Sequence, residues 1–148
     1  WEATWQAHEG SILGDSYPEG GKVRTTSTYS WMQNTNYIRL KFRDEIAGKT
    51  VHEGLEIIGI DPKTKQPIQW LFSVIGGSGS GTWAKQNDTW MLTRNYTAGD
   101  GTTLEGVSHM RVIDEDTHTW QIKSMKENGK DMPDTPLVTF LRVKRDGQ

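Results

Sequence analysis

Strand-like segments separated by turn residues recur along this chain roughly every 10–15 positions, while helical periodicity is nearly absent. The turns between them, such as Ala47–Lys49, Asp61–Thr64 and Gly99–Gly101, are short, and short turns join antiparallel neighbours. A long antiparallel sheet removes its exposed edges most simply by closing on itself. The sequence therefore predicts an all-β fold, an antiparallel up-and-down β-barrel of about ten strands.

The predicted strands are runs rich in β-branched and aromatic residues. They are Trp1–Glu9, Lys22–Gln33, Tyr37–Ile46, Val51–Ile60, Ile68–Ile75, Thr82–Lys85, Thr89–Thr97, Thr103–Ile113, His118–Lys126 and Leu137–Lys144. In the first strand, Trp1, Ala3, Trp5 and Ala7 alternate and share one face. The glycine-rich stretch Gly10–Gly21 is predicted to be a connection.

Composition limits the class of protein. We expect residues 1–148 to form one domain, a piece of a longer chain, because the sequence begins at Trp1 inside a predicted strand rather than at Met. Only 33 % of the residues are apolar, which suits strands that each have one face in water. The net charge is −2 without a basic block, so no nucleic-acid partner is expected, and no apolar run is long enough for a membrane span. The chain has no cysteine, which excludes disulfides and thiolate metal sites.

The turn positions predict which side chains share a face. With Gly48 at the centre of its hairpin, the predicted pairs are Leu40 with Leu55, Ile38 with Ile57, Trp70 with Ile57 and Phe72 with Leu55. The apolar face that results is expected to be buried: Ile38, Leu40, Phe42, Leu55, Ile57, Trp70 and Phe72, with Glu53 at its end. The reverse face, which contains Arg39, Arg43, His52 and Glu56, is expected to meet solvent.

The second half of the chain groups polar side chains. With Gly99–Gly101 as the turn, the predicted pairs are Arg94 with Glu105, Leu92 with Val107, Trp90 with His109, and, across the next hairpin, His109 and Arg111 with Gln121 and Thr119. Inside a barrel, a carboxylate, an imidazole and two guanidinium groups would form a binding or acid–base site with perturbed pKa values. The alternative is that this face meets solvent. We favour this alternative because the opposite face is more apolar and therefore better suited to the core. That opposite face contains Met110, Val112, Trp120 and Ile122.

Other patterns give weaker indications. The four histidines, His8, His52, His109 and His118, have no metal-ligand spacing and no haem motif, so neither a metal nor a cofactor is expected. The glycine segment between Ile75 and Thr82 lacks the lysine and the helix of a phosphate loop. We interpret it as a crowded barrel corner where only glycine fits. Residues 131–136 are interpreted as a plain connection rather than a lid.

Four motifs occur in a recognisable order. They are Gly59-Ile60-Asp61-Pro62-x-Thr64-Lys65, Trp70-x-Phe72-Ser73 with the glycine segment and Trp83, Asp88-x-Trp90, and Asp114-x-Asp116-Thr117-x-Thr119-Trp120. Over roughly residues 29–144, the chain resembles bacterial lipocalin-like (calycin-type) domains of unknown function, which are often exported and in some proteins follow a SnoaL-like domain. The resemblance implies a small barrel with a central cavity, an exported protein and a missing N-terminal domain. It implies no catalytic residues, and it matches Trp70, Trp83, Trp90 and Trp120 to recurrent positions.

Three functions are consistent with these features. The leading hypothesis is a small-molecule-binding barrel that holds a partly apolar ligand against tryptophans. Its expected ligand-binding residues are Trp70, Trp83, Trp90, Arg94, Tyr96, Glu105, His109, Arg111 and Gln121. The second is a cofactor-independent isomerase, cyclase or hydrolase with Glu105 or His109 as general acid or base. The third is an interaction domain that docks on an N-terminal domain or self-associates.

Overall fold

The computed structural model describes residues 1–7, 21–33 and 36–143, and these residues form eleven strands and no helix. The strands are β1 (Glu2–Gln6), β2 (Lys22–Trp31), β3 (Ile38–Ile46), β4 (Lys49–Ile60), β5 (Pro67–Ser73), β6 (Ser78–Gln86), β7 (Thr89–Thr97), β8 (Thr103–Asp114), β9 (Thr117–Glu127), β10 (Lys130–Asp131) and β11 (Val138–Leu141). The predicted connection at Gly10–Gly21 lies almost wholly outside the described residues.

The strands close into an antiparallel barrel. Neighbours along the chain pair from β1 to β9, β9 also pairs with β11, and β11 pairs with β1. Ten strands thus surround one lumen, and β10 pairs with β9 outside the ring. The predicted fold class is confirmed, because closure gives every strand of the ring a hydrogen-bonded neighbour on each side.

A β-bulge changes the register of the β3–β4 hairpin. Ala47 and Gly48 form its turn with positive φ angles of 49° and 75°, as the sequence predicts. Asp44 nevertheless faces His52, which leaves Val51 as an extra residue on β4. Beyond the bulge every pair is shifted by one residue relative to the prediction.

The shifted register splits the predicted apolar face. Leu40 pairs with Glu56 and Phe42 with Gly54, so the predicted pairs Leu40–Leu55 and Ile38–Ile57 are wrong. His52 and Glu56, expected to meet solvent, are 7 % and 8 % exposed and face the lumen with Leu40 and Phe42.

The outer side of the same strands keeps several predicted pairs. Leu55 pairs with Phe72 and Ile57 with Trp70, which confirms both predictions, but these side chains lie on the outside of the barrel. Arg39 and Arg43 are exposed, as predicted. The one-residue shift in pairing places these β4 residues on the face opposite to the predicted one, because strand side chains alternate with a period of two.

The β7–β8 hairpin also differs from its prediction by one residue. Thr97 pairs with Thr103 around a five-residue turn, so Arg94 pairs with Gly106 and not with Glu105. By the same shift, the predicted pairs Leu92–Val107 and Trp90–His109 are wrong, whereas His109–Gln121 and Arg111–Thr119 in the next hairpin are confirmed. Two glycines around Asp100 suit either turn length, so the sequence alone does not fix this register.

Candidate ligand-binding site

The barrel lumen contains a cavity of about 250 Å³ that is partly open to solvent. Most of its wall consists of aromatic and aliphatic side chains, among them Phe42, Leu71, Trp120, Ile122 and Phe140. The segment that precedes β11 completes the wall at Thr135 and Pro136. A concave, largely apolar cavity with a few polar groups is the usual form of a small-molecule site.

One polar cluster in the wall is internally bonded. The Trp5 Nε1 donates to Thr25 Oγ1 (2.9 Å), and Thr25 Oγ1 donates to Asp44 Oδ1 (2.5 Å). His52 Nδ1 lies 3.5 Å from Asp44 Oδ2 as an electrostatic contact without hydrogen-bond geometry, and His52 Nε2 shares a hydrogen bond with Ser73 Oγ (2.9 Å). Asp44 is thus held by protein groups, and this cluster ties β1 to β5.

A second polar chain leads from the barrel wall to Glu56. The Trp83 Nε1 donates to Gln69 Oε1 (2.9 Å), and Gln69 Nε2 donates to Glu56 Oε2 (2.7 Å). Burial raises the pKa of the Glu56 carboxyl to about 7, and the positive charge of Arg94 opposes that rise. Glu56 therefore changes its charge near neutral pH, inside the lumen.

Arg94 is the one lysine or arginine among the described cavity-lining residues. Within the described part of the chain, its guanidinium has no hydrogen bond and no ion pair, and its interaction with Glu56 is electrostatic. Burial lowers the pKa of Arg94, and Glu56 opposes that shift. A guanidinium has five N–H donors, so this group is available to an acceptor that enters the cavity.

Two glycines on the neighbouring strands lie beside Arg94. Its partners on the neighbouring strands are Gly81 on β6 and Gly106 on β8. A Cβ at Gly81 would lie 2.5 Å from the Thr93 carbonyl oxygen and 2.9 Å from Arg94 Cβ. The expectation that only glycine fits here agrees with these contacts, although the segment lies within strand β6, which begins at Ser78, rather than at a corner.

The predicted ligand-binding residues divide between the two faces of the barrel wall. Arg94 and Tyr96 line the cavity, and Trp83 is buried beside it, 6.1 Å edge-on from the Trp120 ring. Trp90 is half-buried near the start of β7, with the Lys85 ammonium 5.6 Å from its ring centroid.

The remaining predicted residues lie on outward-facing positions. Trp70 is exposed on β5, Arg111 on β8, and Gln121 on β9 donates to the Thr135 carbonyl oxygen (2.9 Å). Glu105 borders the cavity but is exposed, and His109 is half-buried four residues further along the same strand. That spacing corresponds to about 13 Å, so the structure does not bring the two candidate acid–base groups together.

Sequence reasoning missed Glu56 and His52 as lumen residues. Both were placed on the solvent face because the bulge at Val51 leaves no unambiguous sequence signal. The glycines opposite Arg94 were an available signal, since glycine in a strand marks close backbone approach or room for a neighbouring side chain.

His118 gives the lumen wall an acid-sensitive group. Its ring stacks on Phe140 with centroids 5.0 Å apart and meets Trp1 edge-on at 4.5 Å. Burial, with a smaller contribution from the N-terminal ammonium, lowers the pKa of His118 to about 4 from its ordinary 6.5. The folded state therefore favours the neutral ring.

We expect the His118→Gln variant to resist acid better than the wild type does. Stability that comes from the neutral ring is complete above pH 6.5 and is lost as the pH falls toward 4, because the unfolded chain binds the proton first. Thermal unfolding at pH 7, 5.5 and 4 should show a larger loss of Tm on acidification for the wild type than for the variant. Equal losses in both proteins would contradict the assignment.

No family model matches the chain, and no curated protein is significantly similar to it. In the described ranges, no helix is long and apolar enough to cross a membrane. Across those same ranges, no group of three or more histidine, aspartate or glutamate side chains is placed to hold a metal ion.

Proposed function

We propose that this chain is a small-molecule-binding barrel that holds a partly apolar ligand in its lumen. The observation that carries this proposal is the cavity of about 250 Å³ with its mostly apolar wall. At about 30 Å³ per water molecule, it has room for roughly eight water-sized groups. That is just below the usual range for ligand pockets, about 300–1,000 Å³, and it favours a compact ligand.

The lipocalin-like assignment is part of the same proposal. A closed antiparallel barrel of ten strands around one cavity is compatible with it. Bacterial origin, export and a preceding SnoaL-like domain follow only from the sequence resemblance, and we propose them on that basis.

Titration calorimetry with three probes of equal tail length tests the binding function. We expect at least one of octanoate, octan-1-ol and octan-1-amine to bind with one-to-one stoichiometry. Leu71 faces the lumen, so Leu71→Trp should fill the cavity and weaken that binding by about tenfold or more. Leu55→Trp, on the outer face of the neighbouring strand, is the matched control and should bind as the wild type does. Unchanged binding by a folded Leu71→Trp variant would contradict the proposal, as would no binding of any probe.

A second candidate function is that of an interaction domain. It is favoured by the apolar strip on the outside of β4 and β5, where Phe72 is 51 % and Trp70 37 % exposed. If the strip mediates self-association, light scattering should show a concentration-dependent dimer that Phe72→Ser disrupts. A monomer at all concentrations would dismiss self-association through this face.

A further inference from the structure

The lumen contains a half-buried positive charge to which no described protein group is hydrogen-bonded. Of the described residues that line it, Arg94 alone is a lysine or arginine, and its guanidinium has no hydrogen-bond or ion-pair partner in that set. A buried charge without a partner is costly, so a protein that keeps one in a binding cavity gains when a ligand supplies the counter-ion. We propose that the lumen selects a small anionic amphiphile, a monocarboxylate with a compact apolar tail, whose carboxylate binds the Arg94 guanidinium.

This inference rests on the proposed binding function and adds the chemical class of the ligand. None of the described carboxylates that line the lumen forms a hydrogen bond or an ion pair with Arg94. Asp44 is engaged by Thr25 and lies beside His52, and Glu105 is exposed to solvent. Glu56 interacts with Arg94 electrostatically but is held by Gln69.

The wall around Arg94 leaves room for a bidentate contact. Because Gly81 and Gly106 are its paired residues, neither directly opposite position contributes a side chain beside Arg94. A planar guanidinium matches the two oxygens of a carboxylate, which gives both energy and orientation. The apolar wall on the other sides, including Leu71 and Trp120, then receives the tail.

Glu56 makes this binding dependent on pH. Burial raises the pKa of its carboxyl to about 7, so it is mostly neutral below that pH and leaves Arg94 available. Above it, the ionised carboxylate competes for Arg94 and repels a second anion. The other titratable groups that line the lumen are Tyr29, Asp44, His52, Arg94, Tyr96, Glu105 and His118. A bound carboxylate therefore raises the pKa of Glu56, and binding takes up a proton near neutral pH.

The first experiment compares octanoate with octan-1-ol by titration calorimetry at pH 6. We expect octanoate to bind about 10- to 100-fold more tightly, the range for hydrogen bonds to a charged group. Arg94→Met should remove that preference and leave octan-1-ol affinity within about threefold. Arg111→Met, an arginine on the outer face, is the matched control. Arg94→Lys keeps a charge without the bidentate fork and should retain part of the preference.

The outcomes separate the two proposals. Equal binding of octanoate and octan-1-ol, or tighter binding of octan-1-amine, overturns the anionic class while the binding function stands. Failure of all three probes overturns both. The comparison of octanoate with octan-1-ol uses the wild-type protein. It therefore tests the proposal even if an Arg94 variant does not fold.

The second experiment follows octanoate affinity from pH 6 to pH 8.5. Octanoate stays ionised over this range, since carboxylates titrate at about 4–5. We expect the wild-type affinity to fall by about tenfold and the affinity of Glu56→Gln to stay level. Heats measured in buffers of different ionisation enthalpy should show proton uptake at pH 7 in the wild type only. A flat wild-type profile would refute the coupling to Glu56.

Discussion

Replacing Gly81 with alanine is expected to lower the free energy of unfolding by about 3 kcal/mol and Tm by roughly 10 °C. The added Cβ would lie 2.5 Å from the Thr93 carbonyl oxygen and 2.7 Å from Leu92 Cδ1. Because the closest atom belongs to the backbone of a paired strand, the conflict is relieved only if β6 moves away from β7. Part of the lumen wall beside Arg94 would move with it.

Chemical denaturation monitored by tryptophan fluorescence measures this effect. The matched control is Ser80→Ala, at an exposed position one residue earlier on the same strand. It should change the free energy of unfolding by no more than about 0.5 kcal/mol. A Gly81→Ala protein as stable as this control would mean that the two strands are not packed as closely as described.

Glu56→Gln is expected to raise the free energy of unfolding at pH 8.5 by about 3 kcal/mol and to leave it nearly unchanged at pH 4. Burial raises the pKa of Glu56 from 4.5 to about 7 in the folded state. Between these values the folded protein retains a proton that the unfolded chain has released. Stability from the neutral carboxyl is therefore complete below pH 4.5 and is lost as the pH rises through 7. Glutamine stays neutral and still accepts the hydrogen bond from Gln69.

Urea unfolding of both proteins at pH 4, 5.5, 7 and 8.5 tests this prediction. The difference between variant and wild type should grow across the middle of that range and then level off above pH 7. Glu105→Gln is the control for the substitution itself, because that carboxylate is exposed. A constant difference for Glu56→Gln would show that Glu56 does not titrate inside the lumen.

The fold could be predicted from the sequence because the turn residues and the strand-forming residues indicate the same strand boundaries. Strands β3, β7, β8 and β9 begin and end within one residue of their predicted bounds, since turn residues and strand propensity coincide there. The short strand β10 and the extension of β6 through its glycines were not predicted, because both depend on pairing with a neighbour rather than on local composition.

The residues that line the cavity could be predicted only in part. Arg94 and Tyr96 were expected ligand contacts and do line the cavity, but Glu56 was assigned to solvent. The difference comes from a single unpaired residue at Val51 and from a five-residue turn around Asp100. Neither has a compositional signature, and each reverses which face of its strand is inside.

The bulge at Val51 lets two consecutive residues of β4 face inward, which regular strand alternation does not allow. Val51 packs with the apolar cluster at one end of the barrel, yet its neighbour His52 also faces inward. If Val51 paired with Asp44, as in a hairpin without the bulge, Leu55 would lie opposite Leu40 and face inward, and Glu56 would face outward. The lumen would then lose its neutral-pH titrating group without any change in the amino-acid sequence. The charge inside this barrel thus depends on the pairing register of one hairpin as much as on the identity of its residues.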